Sequence, residues 1–116
     1  MVRKKEECSI EYREHMRDGD GTVQITNFIS SSEELNDKGR LFSHMMLTPG
    51  TSIGYHVHET DSELFYILRG NAEYNDNGTL VELLPGDVAI CPDGTGHGIA
   101  NKGEETLAFM ALILYR

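Results

Sequence analysis

Cysteine and long apolar runs are scarce in this sequence. Two cysteines are too few for the disulfide framework of a small secreted protein, and they suit a reducing compartment. No apolar run approaches the roughly 20 residues of a membrane-spanning helix. The charged segment 1–8 has no apolar stretch behind it that would make a signal peptide. We therefore expect a cytoplasmic protein that does not interact with membranes.

Basic residues are also scarce in this sequence. The 10 basic residues are outnumbered by 19 acidic ones, which gives a formal net charge of −9. Binding to nucleic acid requires a basic face that neutralises phosphates, so we expect no nucleic-acid partner. The 116 residues are 39% hydrophobic and 25% charged, as in one ordinary globular domain.

Short strands separated by turns dominate the sequence, and helical periodicity is almost absent. Strands are predicted over 22–29, 41–47, 52–58, 63–68, 70–74, 79–84, 88–91 and 106–115, with a weaker strand at 8–12 and an irregular glycine-rich loop at 92–98. This pattern predicts an all-β sandwich or barrel. We expect one structural domain, in which residues 41–116 form the barrel core and residues 1–40 add strands and a loop to it.

Several predicted strands are apolar at nearly every position, among them 64–68 and 109–114. Both faces of their sheet then need cover, because an exposed apolar sheet is prone to associate. A chain this short also buries only about two-thirds of its unfolded surface. We therefore expect a homodimer, with a partner subunit packed on the outer face of the sheet.

Three of the five histidines form a pattern suited to a metal ion. His56 and His58 are two residues apart, so on a strand both imidazoles point to the same face and can meet one ion. Glu63 has the opposite parity, but the polar segment 59–62 can break the strand and turn this carboxylate inward. His97 would arrive from a distant strand as the fourth ligand. Asp61 is one alternative carboxylate ligand, and Glu59 is another.

The spacing around these residues resembles the two motifs of a small single-domain cupin of type 2. The first motif reads Gly50, five residues, His56, one residue, His58, four residues, Glu63, six residues, Gly70. The second reads Gly86, five residues, Pro92, one residue, Gly94, two residues, His97, three residues, Asn101. The resemblance implies a double-stranded β-helix, or jelly-roll barrel. It also implies that the metal ligands are His56, His58, Glu63 and His97.

Three imidazoles and one carboxylate suit one divalent transition metal, which could be Mn, Fe, Co, Ni, Cu or Zn. The remaining coordination positions are open to water, dioxygen or a bidentate small molecule. Arg69 is the only basic residue between Leu41 and Asn101, and it abuts a turn. We therefore predict an apolar cavity without Lys or Arg, walled by residues such as Phe65 and Ile67. Such a cavity lacks a clamp for phosphate and disfavours a phosphosugar isomerase.

Three functions remain open from the sequence. The first is a metal-dependent enzyme of dioxygenase, decarboxylase or isomerase type that acts on a small organic molecule. The second is a non-catalytic module that binds a small molecule or metal, and the third is a structural homodimer stabilised by its metal. An acid or base in the cavity would favour the enzyme, and His44 is the candidate catalytic residue, with Glu73 and the tyrosines as further candidates. A hydrogen-bonded His44 elsewhere is the alternative.

Overall fold

The computed structural model describes residues 1–116 and consists mainly of ten strands. They lie at Ser9–Glu14 (β1), Thr22–Asn27 (β2), Gly39–Leu47 (β3), Ser52–Val57 (β4), Asp61–Arg69 (β5), Ala72–Asp76 (β6), Thr79–Leu83 (β7), Val88–Cys91 (β8), Gly96–Ala100 (β9) and Leu107–Tyr115 (β10). The helical segments are three short 3₁₀ turns, at Lys5–Glu7, Met16–Asp18 and Ser32–Leu35. No helix has the length and apolar character needed to cross a membrane. The predicted all-β fold is confirmed.

Two antiparallel sheets face each other. The larger has the strand order β1-β2-β3-β10-β5-β8, and the smaller has the order β4-β9-β6-β7. Successive strands of the core pass between the sheets, which produces the predicted double-stranded β-helix. The N-terminal strands β1 and β2 extend the larger sheet at the edge of β3. This extension positions part of the first 40 residues beside the open end of the barrel.

The hydrophobic core lies between the two sheets. Side chains alternate between the faces of each strand, so β5 directs Phe65 and Ile67 inward while β10 directs Phe109 and Ala111 inward. These residues belong to one continuous cluster of 15 buried hydrophobic side chains, which indicates a single core. Three histidines and a glutamate occupy one end of the same interior.

The outer face of the larger sheet is also apolar around β10, β5 and β8, whereas Gln24, Thr26 and His44 make it more polar near β2. Phe42, Leu64, Met110 and Leu112 line a shallow depression there, and no polar side chain takes part in it. Large apolar side chains left exposed on this face are Ile10, Tyr12, Tyr66, Leu68, Val88 and Ile90. A contiguous apolar face of this kind is uncommon on a monomer.

The last part of one predicted loop is in fact a strand. The sequence predicts an irregular loop over 92–98, whereas the structure begins β9 at Gly96. The glycines there serve close packing: a methyl group on Gly98 would lie only 3.0 Å from the backbone nitrogen of Tyr55 in the neighbouring β4. The glycines at 96 and 98, which suggest an irregular loop, therefore reflect the tight pairing of β9 with β4.

Candidate metal centre

Four buried or half-buried side chains converge at one end of the barrel interior. They are His56 on β4, His58 just after β4, Glu63 on β5 and His97 on β9, and we call them the floor of the cavity. Their ligand atoms all lie within 4.8 Å of one another. Oε1 of Glu63 lies 3.0 Å from Nε2 of His58, 2.9 Å from Nε2 of His97 and 4.0 Å from Nε2 of His56. Three ring nitrogens and one carboxylate oxygen therefore surround a common point.

A β-bulge brings His56 to the floor. Ile53 pairs with Ile99 and His56 pairs with His97, so β4 has one more residue than β9 between these pairs. The extra residue changes the alternation, which places His56 on the inward face with Ile53 and leaves Tyr55 exposed.

A strained turn brings Glu63 to the floor. Thr60 has a φ of 71°, a left-handed conformation that is rare for a β-branched residue. Its backbone N–H donates to Oδ1 of Asp93 at 2.7 Å, which helps to hold the turn. Strand β5 then begins at Asp61, and both Asp61 and Glu63 are buried. The change of parity that the sequence requires between His58 and Glu63 is therefore present.

Each imidazole of the floor is fixed through its second ring nitrogen. The distances are 2.8 Å from Nδ1 of His56 to the carbonyl oxygen of Gly54, 2.7 Å from Nδ1 of His58 to Oδ1 of Asp61, and 2.8 Å from Nδ1 of His97 to Oη of Tyr74. When each Nδ1 carries the proton and donates it to these oxygens, each Nε2 presents its lone pair to the centre. A metal-binding imidazole needs this tautomer. The residues therefore fit a divalent transition metal.

The electrostatics of the floor favour an ionised carboxylate. Burial opposes ionisation of Glu63, but when His58 and His97 also carry a proton on Nε2, their hydrogen bonds to the carboxylate outweigh burial and lower the pKa of Glu63 to about 2. The hydrogen bond to Glu63 also raises the pKa of His58. Burial lowers the pKa of His56, and the charges of His97 and Arg17 contribute in the same direction. At neutral pH the floor thus offers an anionic oxygen among imidazoles.

The other sequence candidates are not part of the floor. His44 sits between Ser43 and Met45, which are buried in the interior, so its ring lies on the outer face of β3 and outside the cavity. Glu59 and Glu73 are exposed. Asp61 directs its Oδ1 to the Nδ1 of His58, so it orients a ring of the floor without being part of it.

Three arginines line the cavity above the floor, and this corrects the sequence prediction. The cavity measures about 70 Å³ and reaches His56, His58 and Glu63. Besides apolar side chains it is lined by Arg13, Arg17 and Arg40, which we call the rim. The prediction of a cavity without Lys or Arg is wrong because it considered only residues 41–101, and all three arginines precede residue 41.

Each rim arginine is positioned by a structural feature that the local sequence does not reveal. Arg13 pairs with Val23, whose side chain is fully buried, so the pairing of β1 with β2 turns Arg13 toward the interior. In the pairing of β3 with β10, Arg40 is the unpaired residue of a β-bulge, and such bulges redirect side chains. Its Nε lies 3.0 Å from Oδ2 of Asp61. Arg17 lies in a left-handed turn between β1 and β2.

Comparison with known proteins identifies close relatives. A family model described as a cupin domain matches residues 43–113. A Thermotoga maritima protein named oxalate-binding protein is 40% identical over 114 residues, which are 98% of this chain and 93% of that protein. The crystal structure of a predicted oxalate decarboxylase from Thermotoga maritima has a TM-score of 0.94 and 39% identity, covering 100% of both chains. An uncharacterized protein with a double-stranded β-helix domain from Klebsiella pneumoniae has a TM-score of 0.61 and 32% identity, covering 65% of this chain and 62% of that chain.

Proposed function

The chain belongs to the cupin family, and we propose that it binds a small dicarboxylate through one divalent metal ion at the floor of its cavity. Oxalate is the model ligand. The observation that carries the proposal is the position of three arginines directly above a metal-competent cluster in a small cavity. The oxalate-binding and predicted oxalate decarboxylase relatives support the choice of ligand.

The floor would hold the metal through Nε2 of His56, His58 and His97 and through the Glu63 carboxylate. The bound ion would supply a positive charge and Lewis acidity, which attract carboxylate oxygens. The chain's own contribution is orientation, because the hydrogen bonds at the three Nδ1 atoms hold the rings in place. We propose one ion per chain, drawn from Mn, Fe, Co, Ni, Cu or Zn.

The rim supports an anionic ligand. Guanidinium groups stay protonated and match a carboxylate with paired N–H donors. They stand out in a chain of net charge −9, where most of the surface repels anions.

The size of the cavity supports a small ligand. Sites for drug-sized molecules measure roughly 300–1,000 Å³, whereas this cavity measures about 70 Å³. Because arginines line the cavity, the lack of a basic clamp no longer argues against a phosphosugar ligand. The small volume of the cavity now disfavours it instead. Oxalate is the smallest dicarboxylate, so it suits both the charge and the volume.

A binding role is favoured over turnover. The cavity is lined by arginines, apolar side chains and members of the floor. General acid–base catalysis needs a group of tuned pKa within reach of the substrate, and Tyr74, the nearest phenol, is engaged with His97. Burial raises the pKa of Tyr74, which keeps its hydroxyl neutral. These features support a protein that holds its ligand.

A thermal-shift panel on the metal-loaded protein tests the proposal. Oxalate at a hundred times its Kd should raise Tm by on the order of 10 °C, malonate less because it is larger, and acetate and glucose 6-phosphate little. Equal shifts with acetate and oxalate would contradict recognition of a dicarboxylate. Incubation with oxalate should release no formate, and formate production would overturn the binding role in favour of a decarboxylase.

The apolar outer face supports the further proposal of a homodimer. Six strands about 4.8 Å apart and up to nine residues long span a plane on the order of 700 Å², close to the roughly 800 Å² per partner of a stable interface. A sheet face can pair with its own copy about a two-fold axis. We therefore propose that a second copy of the chain covers it.

Light scattering tests the dimer. We expect a mass twice the 13.0 kDa of the chain at micromolar concentration. Val88→Glu, on the outer face, should give the monomer mass, whereas the matched variant Val81→Glu, on β7 of the other sheet, should not. A monomer mass for the unmodified protein would rule the dimer out.

A further inference from the structure

The segment from Arg13 to Gly19, which we call the strap, crosses the mouth of the cavity in an unusual conformation. His15, Arg17 and Asp18 have φ values of 51°, 54° and 63°, so three residues with side chains adopt the left-handed conformation close together. Each such residue costs conformational energy, and clusters of this kind persist only where surrounding contacts hold them. The strap therefore needs anchors.

The anchors lie on β4, next to the floor. A methyl group on Gly54 would lie 1.9 Å from the carbonyl oxygen of Arg17, and one on Gly19 would lie 2.2 Å from the carbonyl oxygen of Ser52. The two backbones are thus in direct contact, which only glycine permits at these positions. The backbone N–H of Ser52 also donates to the carbonyl oxygen of Asp20 at 2.8 Å. The carbonyl oxygen of Gly54 also accepts the hydrogen bond from Nδ1 of His56. Gly54 therefore contacts both the strap and a histidine of the floor.

Arg17 is the rim arginine whose charge is free. Arg40 pairs with Asp61 at 3.0 Å, and Arg13 pairs with Glu11 at 3.2 Å. The guanidinium of Arg17 makes no side-chain hydrogen bond or ion pair, although it lines the cavity. A strained turn, docked through two glycines, thus presents an unpaired guanidinium at the mouth above the floor.

We propose that Arg17 is the specificity-determining residue of the site and selects dicarboxylates by binding the carboxylate oxygens that face away from the metal. The inference rests on the proposed metal-dependent binding of a dicarboxylate. A planar guanidinium can donate two parallel hydrogen bonds to one carboxylate. A chelated oxalate leaves two oxygens facing away from the metal, one from each carboxylate, whereas a chelated ligand with a single carboxylate leaves only one and cannot engage both parallel N–H donors of Arg17. The strap holds the backbone of Arg17 in place before the ligand enters, so no backbone ordering is needed on binding.

The test compares two ligands on the metal-loaded protein. Oxalate and glycolate can both chelate a metal, but only oxalate has a second carboxylate. Arg17→Ala should weaken oxalate binding about 10- to 100-fold, the range expected for charge-assisted hydrogen bonds, and should change glycolate affinity less than about threefold. The metal content should stay at the level of the unmodified protein. Arg17→Lys should recover only part of the loss, because an ammonium lacks the planar fork.

Two further variants control the test. Arg69→Ala removes the same charge from the exposed end of β5, far from the cavity, and should leave both affinities unchanged. Gly54→Ala, which pushes the strap from its anchor, should reduce oxalate affinity even where the metal is retained. An Arg17→Ala protein that keeps its oxalate affinity, or loses oxalate and glycolate equally, overturns the role of Arg17 and leaves the proposed function standing. An unmodified protein that binds oxalate equally without metal overturns the proposed function itself.

Discussion

The floor and the rim of the cavity are built on different physical principles. The floor consists of largely buried rings and a carboxylate, each fixed by a second hydrogen bond to a named partner. The rim consists of exposed arginines on β1, in the strap and at the start of β3. Rigid, desolvated groups suit a metal ion that requires a fixed geometry, whereas exposed cations suit a ligand that enters and leaves.

The comparison implies that stability and metal affinity depend on the floor, while ligand selectivity depends on the rim. Variants can separate the two dependences. Substitutions of His97, Asp61 and Arg40 should do so with decreasing effect.

His97→Ala should have the largest effect, because it removes a proposed metal ligand and opens a space beside Phe65, on which the ring of His97 stacks. We expect most of the metal to be lost and Tm to fall by on the order of 10 °C. Elemental analysis and a thermal melt measure the two quantities. His44→Ala, on the outer face, removes the same side chain and should retain the metal. Near-stoichiometric metal in the His97→Ala protein would show that His97 is not a ligand.

Asp61→Asn should have an intermediate effect, because Asp61 joins floor and rim. Its carboxylate accepts from Nδ1 of His58 at 2.7 Å and pairs with Arg40 at 3.0 Å. Loss of such a partner typically lowers metal affinity 10- to 100-fold, and competition with a chelator of known affinity measures it. Asp87→Asn, in the exposed turn before β8, is the matched control. An unchanged metal affinity in Asp61→Asn would mean that the floor holds its geometry without this contact.

Arg40→Ala should have the smallest effect on metal and stability. The side chain of Arg40 is 42% exposed, so its ion pair with Asp61 is screened by solvent and contributes about 1 kcal/mol at most. We expect Tm within a few degrees of the unmodified protein and an unchanged metal content, together with weaker oxalate binding. If Arg40→Ala lost as much metal affinity as Asp61→Asn, metal binding would depend on the rim as well as on the floor.

The floor could be predicted from the sequence, in contrast to the rim. The histidines and Glu63 lie in two compact motifs, and strand alternation together with one polar break was enough to bring them to one face. The alternation of β1 gives Arg13 a face only after its pairing with β2 is known. Arg40 depends on a bulge, and Arg17 depends on left-handed residues that are not glycine. Neither feature has a local signature, because tertiary contacts impose both.

The all-β fold was predictable because its signals are also local. Alternating polarity and turn residues were enough to locate most of the strands. The segment containing His97 was misjudged because Gly96 and Gly98 indicate a loop, while their actual role is close approach to β4. A glycine that permits close packing and a glycine that permits a turn are indistinguishable in the sequence. Only the pairing of β9 with β4 separates the two roles.

Isothermal titration of oxalate into the metal-free and metal-loaded protein shows whether ligand binding depends on the metal at the floor. Chelator-treated protein, reloaded with one equivalent of Mn²⁺, should bind about one oxalate per chain, and the metal-free protein should bind none under the same conditions. This result would place the ligand on the metal at the floor. Equal binding of oxalate with and without metal, or no binding by the metal-loaded protein, would contradict the account.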